Sequence, residues 1–62
     1  MTLGLQIITT LERHNNVPIE YLSDVNNVSE EEVIKYVVEL EREGVLKRQP
    51  DGRVELLGQH SH

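Results

Sequence analysis

The residues with a capacity for chemistry in this sequence are cations that cluster late in the chain. Lys35 and Arg42 lie in an otherwise acidic stretch, and Lys47, Arg48 and Arg53 flank a Pro-Asp-Gly sequence. Ammonium and guanidinium groups suit the neutralisation of phosphates. Charged residues on exposed strands also prevent edge-to-edge pairing of sheets, so the last three have a purely structural interpretation as well.

Side chains for catalysis or metal binding are sparse. The chain has no Cys, its glycines are too widely separated for a phosphate loop, and no Ser-His-Asp grouping is evident. His60 and His62 could hold a metal only loosely, because zinc generally requires four ligands and nothing near them completes a set. His14, near the end of the first helix, is expected either to interact favourably with the helix dipole or to face solvent. We therefore expect a binding protein rather than an enzyme, with no metal and no cofactor.

Length and charge narrow the class of protein further. Sixty-two residues allow a single domain, expected over residues 1–58 with a flexible tail at 59–62, and a net charge of −5 excludes a simple polycationic nucleic-acid binder. No apolar run approaches the roughly 20 residues of a membrane span, and no signal-peptide pattern is present, so a cytoplasmic location is expected. The charge is uneven: residues 29–43 carry six Glu against two cations, whereas residues 44–54 carry three cations against one Asp.

Helical periodicity dominates the first two thirds of the chain. Apolar residues spaced three and four apart predict helices over 3–14 and 18–24, each followed by an Asn-Asn pair, a common signal for a left-handed helix end. Ser29 with Glu32 three residues later forms a capping-box sequence, so a third helix is predicted from Ser29 to Glu43, ended by Gly44.

The last third of the chain has extended character. Two short apolar and charged runs flank Pro50-Asp51-Gly52, which fits a type I turn followed by a left-handed Gly, so a hairpin is predicted over 45–57. The fold class is thus α+β, three helices followed by a two-stranded hairpin. The predicted core consists of Ile8, Leu11, Leu22, Val25, Val33, Val37, Leu40, Val45, Val54 and Leu56.

A family resemblance accompanies this arrangement. Residues 28–33 read Val-Ser-Glu-Glu-Glu-Val and residues 40–46 read Leu-Glu-Arg-Glu-Gly-Val-Leu. They resemble the third helix and first wing strand of small bacterial and archaeal winged helix-turn-helix regulators, a pattern that extends here from Leu5 to Leu57. The resemblance implies a third helix in the DNA major groove and a wing on the neighbouring backbone, with Lys35, Arg42, Lys47, Arg48 and Arg53 as the nucleic-acid contacts.

The outward face of the third helix leaves two hypotheses open. If Leu40 and its neighbours face the core, Glu31, Val38 and Arg42 point away from it, with Lys35 close by and Ile34 and Glu39 at the flanks. The first hypothesis is a DNA-binding transcriptional regulator, acting as a homodimer because one small unit offers few phosphate contacts. The second is an acidic protein-interaction module that uses Glu31, Ile34, Val38 and Glu39.

Overall fold

The chain folds as an α+β arrangement of three helices and one three-stranded antiparallel sheet. The computed structural model describes residues 3–57, so residues 1–2, the end of the expected domain at residue 58 and the expected tail at 59–62 lie outside the described residues. The helices are α1 (Leu3–Arg13), α2 (Ile19–Asn26) and α3 (Glu30–Arg42). The strands are β1 (Val17–Pro18), β2 (Leu46–Arg48) and β3 (Arg53–Leu56).

The ends of α3 follow the sequence signals closely. The hydroxyl of Ser29 accepts a hydrogen bond from the backbone N–H of Glu32 at 3.2 Å, as an N-cap does. At the other end Gly44 has φ +80°, its N–H donates to the Glu41 carbonyl, and the Val45 N–H donates to the Leu40 carbonyl at 2.9 Å. These two bonds form a Schellman motif, which turns the chain directly from α3 into β2.

The hairpin is formed by β2, the three-residue loop and β3. The loop is closed by a hydrogen bond from the Gln49 N–H to the Arg53 carbonyl at 2.7 Å. Within the loop Gly52 adopts the left-handed conformation with φ +95°. The register pairs Leu46 with Leu56 and Arg48 with Val54. The predicted hairpin and its turn are therefore confirmed, although the regular strands are shorter than the predicted 45–57 segment.

The two-stranded sheet predicted from the sequence is wrong, because β1 adds a third strand on the far side of β3. Val17 pairs with Val54 and Pro18 with Arg53, in the strand order β1-β3-β2. A residue before proline favours extended backbone, and proline, which lacks an N–H, is tolerated at a sheet edge. Pro18 is consequently the extended N-cap of α2, not its first helical residue.

A side chain in the α1–β1 turn holds this third strand in place. Oδ1 of Asn15 accepts hydrogen bonds from the backbone N–H groups of Leu56 and Asn16, each at 2.9 Å, while Asn16 takes the left-handed conformation with φ 64°. The left-handed turn after α1 is thus confirmed. The bond to Leu56 spans 41 residues of sequence and joins the end of α1 to β3.

We expect Asn15→Ala to lower the free energy of unfolding by about 1–2 kcal/mol, because the Leu56 N–H would lose its acceptor in a partly buried position. Asn15→Asp is the matched control, since it keeps an acceptor oxygen and should restore most of that loss. Urea denaturation followed by circular dichroism measures both. Equal destabilisation by the two variants would contradict a role for the acceptor.

The core lies between the helices and the inner face of the sheet. Its buried side chains come from every helix and from β2 and β3; they are Ile7, Leu11, Leu22, Val33, Val37, Leu46, Val54 and Leu56. Ile8, Tyr36, Leu40 and Val45 are partly buried against this cluster.

One member of the predicted core is wrong. Val25 is 50% exposed, whereas Leu22 of the same helix is fully buried and Ile19 packs against the core. Ile7 and Leu46 were absent from the predicted core. Ile7 and Leu46 are fully buried, whereas their predicted sequence neighbours, Ile8 and Val45, are only partly buried.

Candidate nucleic-acid interface

The outward face of α3 is defined by its buried one. Val33 and Val37 are fully buried, and Tyr36 and Leu40 pack against the core, so the predicted inward stripe is confirmed. Lys35 and Arg42 are exposed, and since seven residues make two turns, both project to the same outward side about 10 Å apart along the axis. Among residues 3–57 neither cation forms an ion pair with another side chain.

Apolar and acidic residues border this pair of cations. Ile34, predicted at the flank, is 39% exposed, whereas Val38, predicted to point away from the core, is half-buried, so the predicted exposure of Val38 is wrong. Glu31 and Glu39 are exposed on the same helix. The four residues suggested for protein interaction are therefore split, with Val38 offering the least surface for contact.

The N-terminal turn of α3 carries only negative charge. Glu30, Glu31 and Glu32 are all exposed, and they follow the Ser29 cap at the end of the helix where the backbone dipole favours anions. Their position explains them without a partner. A phosphate would be repelled there, so any favourable approach of DNA must be carried by the part of α3 that contains Lys35 and Arg42.

Strand alternation separates the cations of the hairpin. Lys47 lies opposite Glu55, so these two side chains share one face of the sheet, but the Glu55 carboxylate accepts a hydrogen bond from the Gln49 side-chain amide and forms no ion pair with Lys47. Arg48 lies opposite the buried Val54, so its side chain lies on the other face of the sheet, which packs on the helices. From there its Nε lies 3.1 Å from Oε1 of Glu41 on α3.

Arg53 is held by the turn that precedes β1. Its Nη1 donates to the Asn16 carbonyl at 3.0 Å, and its Nε lies 3.7 Å from Oδ2 of Asp51. The Asp51 carboxylate also accepts the backbone N–H of Arg53. Arg53 thus links the hairpin loop to the α1–β1 turn while half of its side chain remains exposed.

The five cations predicted as nucleic-acid contacts are therefore not equivalent. Lys35, Arg42 and Lys47 are exposed and make no ion pair among the described residues, whereas Arg48 and Arg53 each have a carboxylate partner. The Schellman turn leads directly from α3 into the hairpin, and the exposed Arg48–Glu41 pair bridges the two elements at the surface.

Two residues that shape this surface had no signal in the sequence analysis. Glu41 reaches Arg48 across seven residues, and Asn16 reaches Arg53 across 37. Seven residues are two turns within a helix, but α3 ends at Arg42, so helical period does not apply to this pair, and 37 residues match no local period. The first depends on how tightly Gly44 turns the chain, and the second depends on the unpredicted strand β1.

Other grooves of the described chain lack the features of a chemical site. Thr9, Thr10, Arg13, His14, Tyr21 and Val25 line a shallow groove between α1 and α2. There the rings of His14 and Tyr21 meet edge-on, with centroids 6.0 Å apart. Within residues 3–57 no cluster of His, Asp and Glu could hold a metal ion, and no helix combines the length and apolarity needed to cross a membrane. His60 and His62 lie outside the described residues.

Comparison with known proteins adds no assignment to this geometry. No protein-family model matches the chain, and neither a curated protein nor a solved structure matches it significantly.

Proposed function

We propose that the protein is a small winged-helix DNA-binding protein and a transcriptional regulator. In this proposal α2 and α3 form the helix-turn-helix, and the hairpin is the wing. The order of three helices followed by a hairpin supports the proposal, as does the short turn at Asn27 between α2 and α3. The fold alone does not define a function, so the proposal depends on the side chains of α3 and the wing.

The observation that carries the proposal is the pair of exposed cations on the outward side of α3. Lys35 and Arg42 lie two turns apart with no ion-pair partner among the described residues, and Lys47 adds a third exposed cation on the neighbouring wing. Arginine and lysine suit both phosphate contact and contact with guanine in the major groove. In this proposal α3 contributes two of these cations to the contact with DNA and the wing contributes the third.

Charge sets the strength of binding that this surface can deliver. The net charge of −5 and the exposed glutamates at the start of α3 oppose a polyanion at long range. A single domain would therefore bind weakly and with strong dependence on salt. We propose that two copies bind adjacent half-sites, because doubling the cationic surface is the simplest way to reach useful affinity.

Titration of a fluorescent DNA duplex at several salt concentrations tests the proposal. If Lys35, Arg42, Lys47 and one wing arginine of each copy contact phosphates, the logarithm of the association constant should fall with the logarithm of salt concentration with a slope of about −3 to −4 per copy. Sedimentation of the complex gives the number of copies. Absence of binding at 50 mM salt and millimolar protein would overturn the proposal.

A protein-interaction module is the second candidate, favoured by the exposure of Ile34. This side chain is 39% exposed and lies with Glu31, Glu32 and Lys35 around a shallow groove at the start of α3. An apolar centre with a polar rim is typical of protein interfaces. If this candidate is correct, Ile34→Glu should abolish self-association or partner capture without unfolding the protein, and unchanged association would remove its main support.

A further inference from the structure

The ion pair between Arg48 and Glu41 places a carboxylate inside the proposed DNA interface. It joins β2 to α3, the two elements that would face the duplex, with the Arg48 Nε 3.1 Å from the Glu41 Oε1. The side chains of Arg48 and Glu41 are 44% and 36% exposed, so the pair lies at the surface and water or another anion can reach both groups. Exposed pairs of this kind are weak and exchange readily.

We propose that Glu41 is an affinity-setting residue of this interface: its carboxylate competes with a DNA phosphate for the guanidinium of Arg48. This inference rests on the proposed function. A phosphate that binds Arg48 must either displace Glu41 or approach a guanidinium whose charge is already compensated. In both cases Glu41 opposes the contact, because two anions cannot share one guanidinium without mutual repulsion.

Arg53 provides the contrast that isolates Glu41. Its closest described partner is the neutral carbonyl of Asn16 at 3.0 Å, and its carboxylate partner Asp51 lies at 3.7 Å. The carbonyl adds no negative charge, and the Asp51 carboxylate is farther from Arg53 than Glu41 is from Arg48, so a phosphate at Arg53 meets weaker internal competition. Of the two wing arginines, Arg48 is therefore the one whose contribution depends most on losing an internal partner.

The competition has a consequence for salt dependence. While Arg48 stays paired with Glu41 it neutralises no phosphate, and no counterion is released from the DNA at that position. The wild-type slope should therefore be shallower than the number of phosphate contacts implies. The effect keeps non-specific binding weak, because every backbone contact by Arg48 requires the same exchange.

Glu41→Gln tests the inference, with Glu43→Gln as the matched control. Glu43 is the C-cap residue of the same helix and is exposed, and its side chain forms no ion pair among residues 3–57, so both variants remove one negative charge near the wing. An exposed ion pair is worth up to about 1 kcal/mol, so at 50 mM salt Glu41→Gln should tighten duplex binding about threefold to fivefold and steepen the slope by up to about 0.9. Glu43→Gln should tighten binding by about twofold or less.

The Arg48→Gln background identifies the target of the competition. There the gain from Glu41→Gln should fall to that of Glu43→Gln. Equal effects of the two variants, a gain that persists without Arg48, or weaker binding by a folded Glu41→Gln protein would overturn the inference while leaving wild-type binding in place. If wild type and both variants fail to bind duplex at 50 mM salt, the proposed function falls and the inference with it.

Discussion

Leu22→Ala is expected to lower the free energy of unfolding by about 2–5 kcal/mol, because it removes a fully buried side chain from the centre of the core. A domain of this size has a small margin of stability, so the variant should be largely unfolded at 25 °C. Circular dichroism during urea titration measures the loss. The effect should appear as a lower denaturation midpoint or as the absence of a folded baseline.

Leu57→Ala is the matched control for this substitution. Leu57 follows β3 and is 38% exposed, so the same truncation should cost about 1 kcal/mol or less. Similar losses for the two variants would contradict the arrangement of the core between the helices and the sheet.

The double variant Lys35→Gln/Arg42→Gln is expected to weaken duplex binding about 100-fold at 50 mM salt. Each lost phosphate contact is worth about tenfold at that concentration, and the slope of affinity against salt should become shallower by about 1.8. Both side chains are exposed, so the fold should remain intact. Fluorescence anisotropy at several salt concentrations gives both quantities.

Arg13→Gln is the control for this loss of charge. Arg13 is an exposed cation on α1, outside the proposed interface, and its replacement should change affinity by about twofold or less. If Arg13→Gln alone weakens binding about tenfold, as much as one cation of the double variant, attraction would depend on net charge alone and not on the outward face of α3.

Local signals account for the parts of the fold that could be predicted. The Ser29 cap, the left-handed Gly44 and the Pro-Asp-Gly turn each act within a few residues, and each holds in the structure. The inward stripe of α3 follows from helical period because Val33, Val37 and Leu40 share one side of the helix.

The parts that could not be predicted depend on contacts between distant residues. Strand β1 is only two residues long, too short for any period, and exists because β3 and the Asn15 side chain lie beside it. Val25 follows Leu22 by three residues, so helical period places both on one side of α2. In the structure Leu22 is fully buried and Val25 is exposed, because tertiary packing and not period decides which edge of an apolar stripe is covered. Adjacent apolar pairs such as Ile7 and Ile8 cannot be ranked by period alone.

The candidate site divides in the same way. The outward positions of Lys35 and Arg42 follow from the register of α3, which the sequence indicates. From the sequence alone, Lys47, Arg48 and Arg53 form one positive cluster. In the structure their partners differ, because the Gly44 turn brings Glu41 to Arg48 and the third strand brings Asn16 to Arg53.

Backbone amide chemical shifts during titration with duplex DNA at low salt test the central claim most directly. The account predicts shifts concentrated at the outward positions of α3 around Lys35 and Arg42 and at β2 and the hairpin loop, with little change in the groove between α1 and α2. Shifts confined to that groove, or none at millimolar DNA, would contradict it.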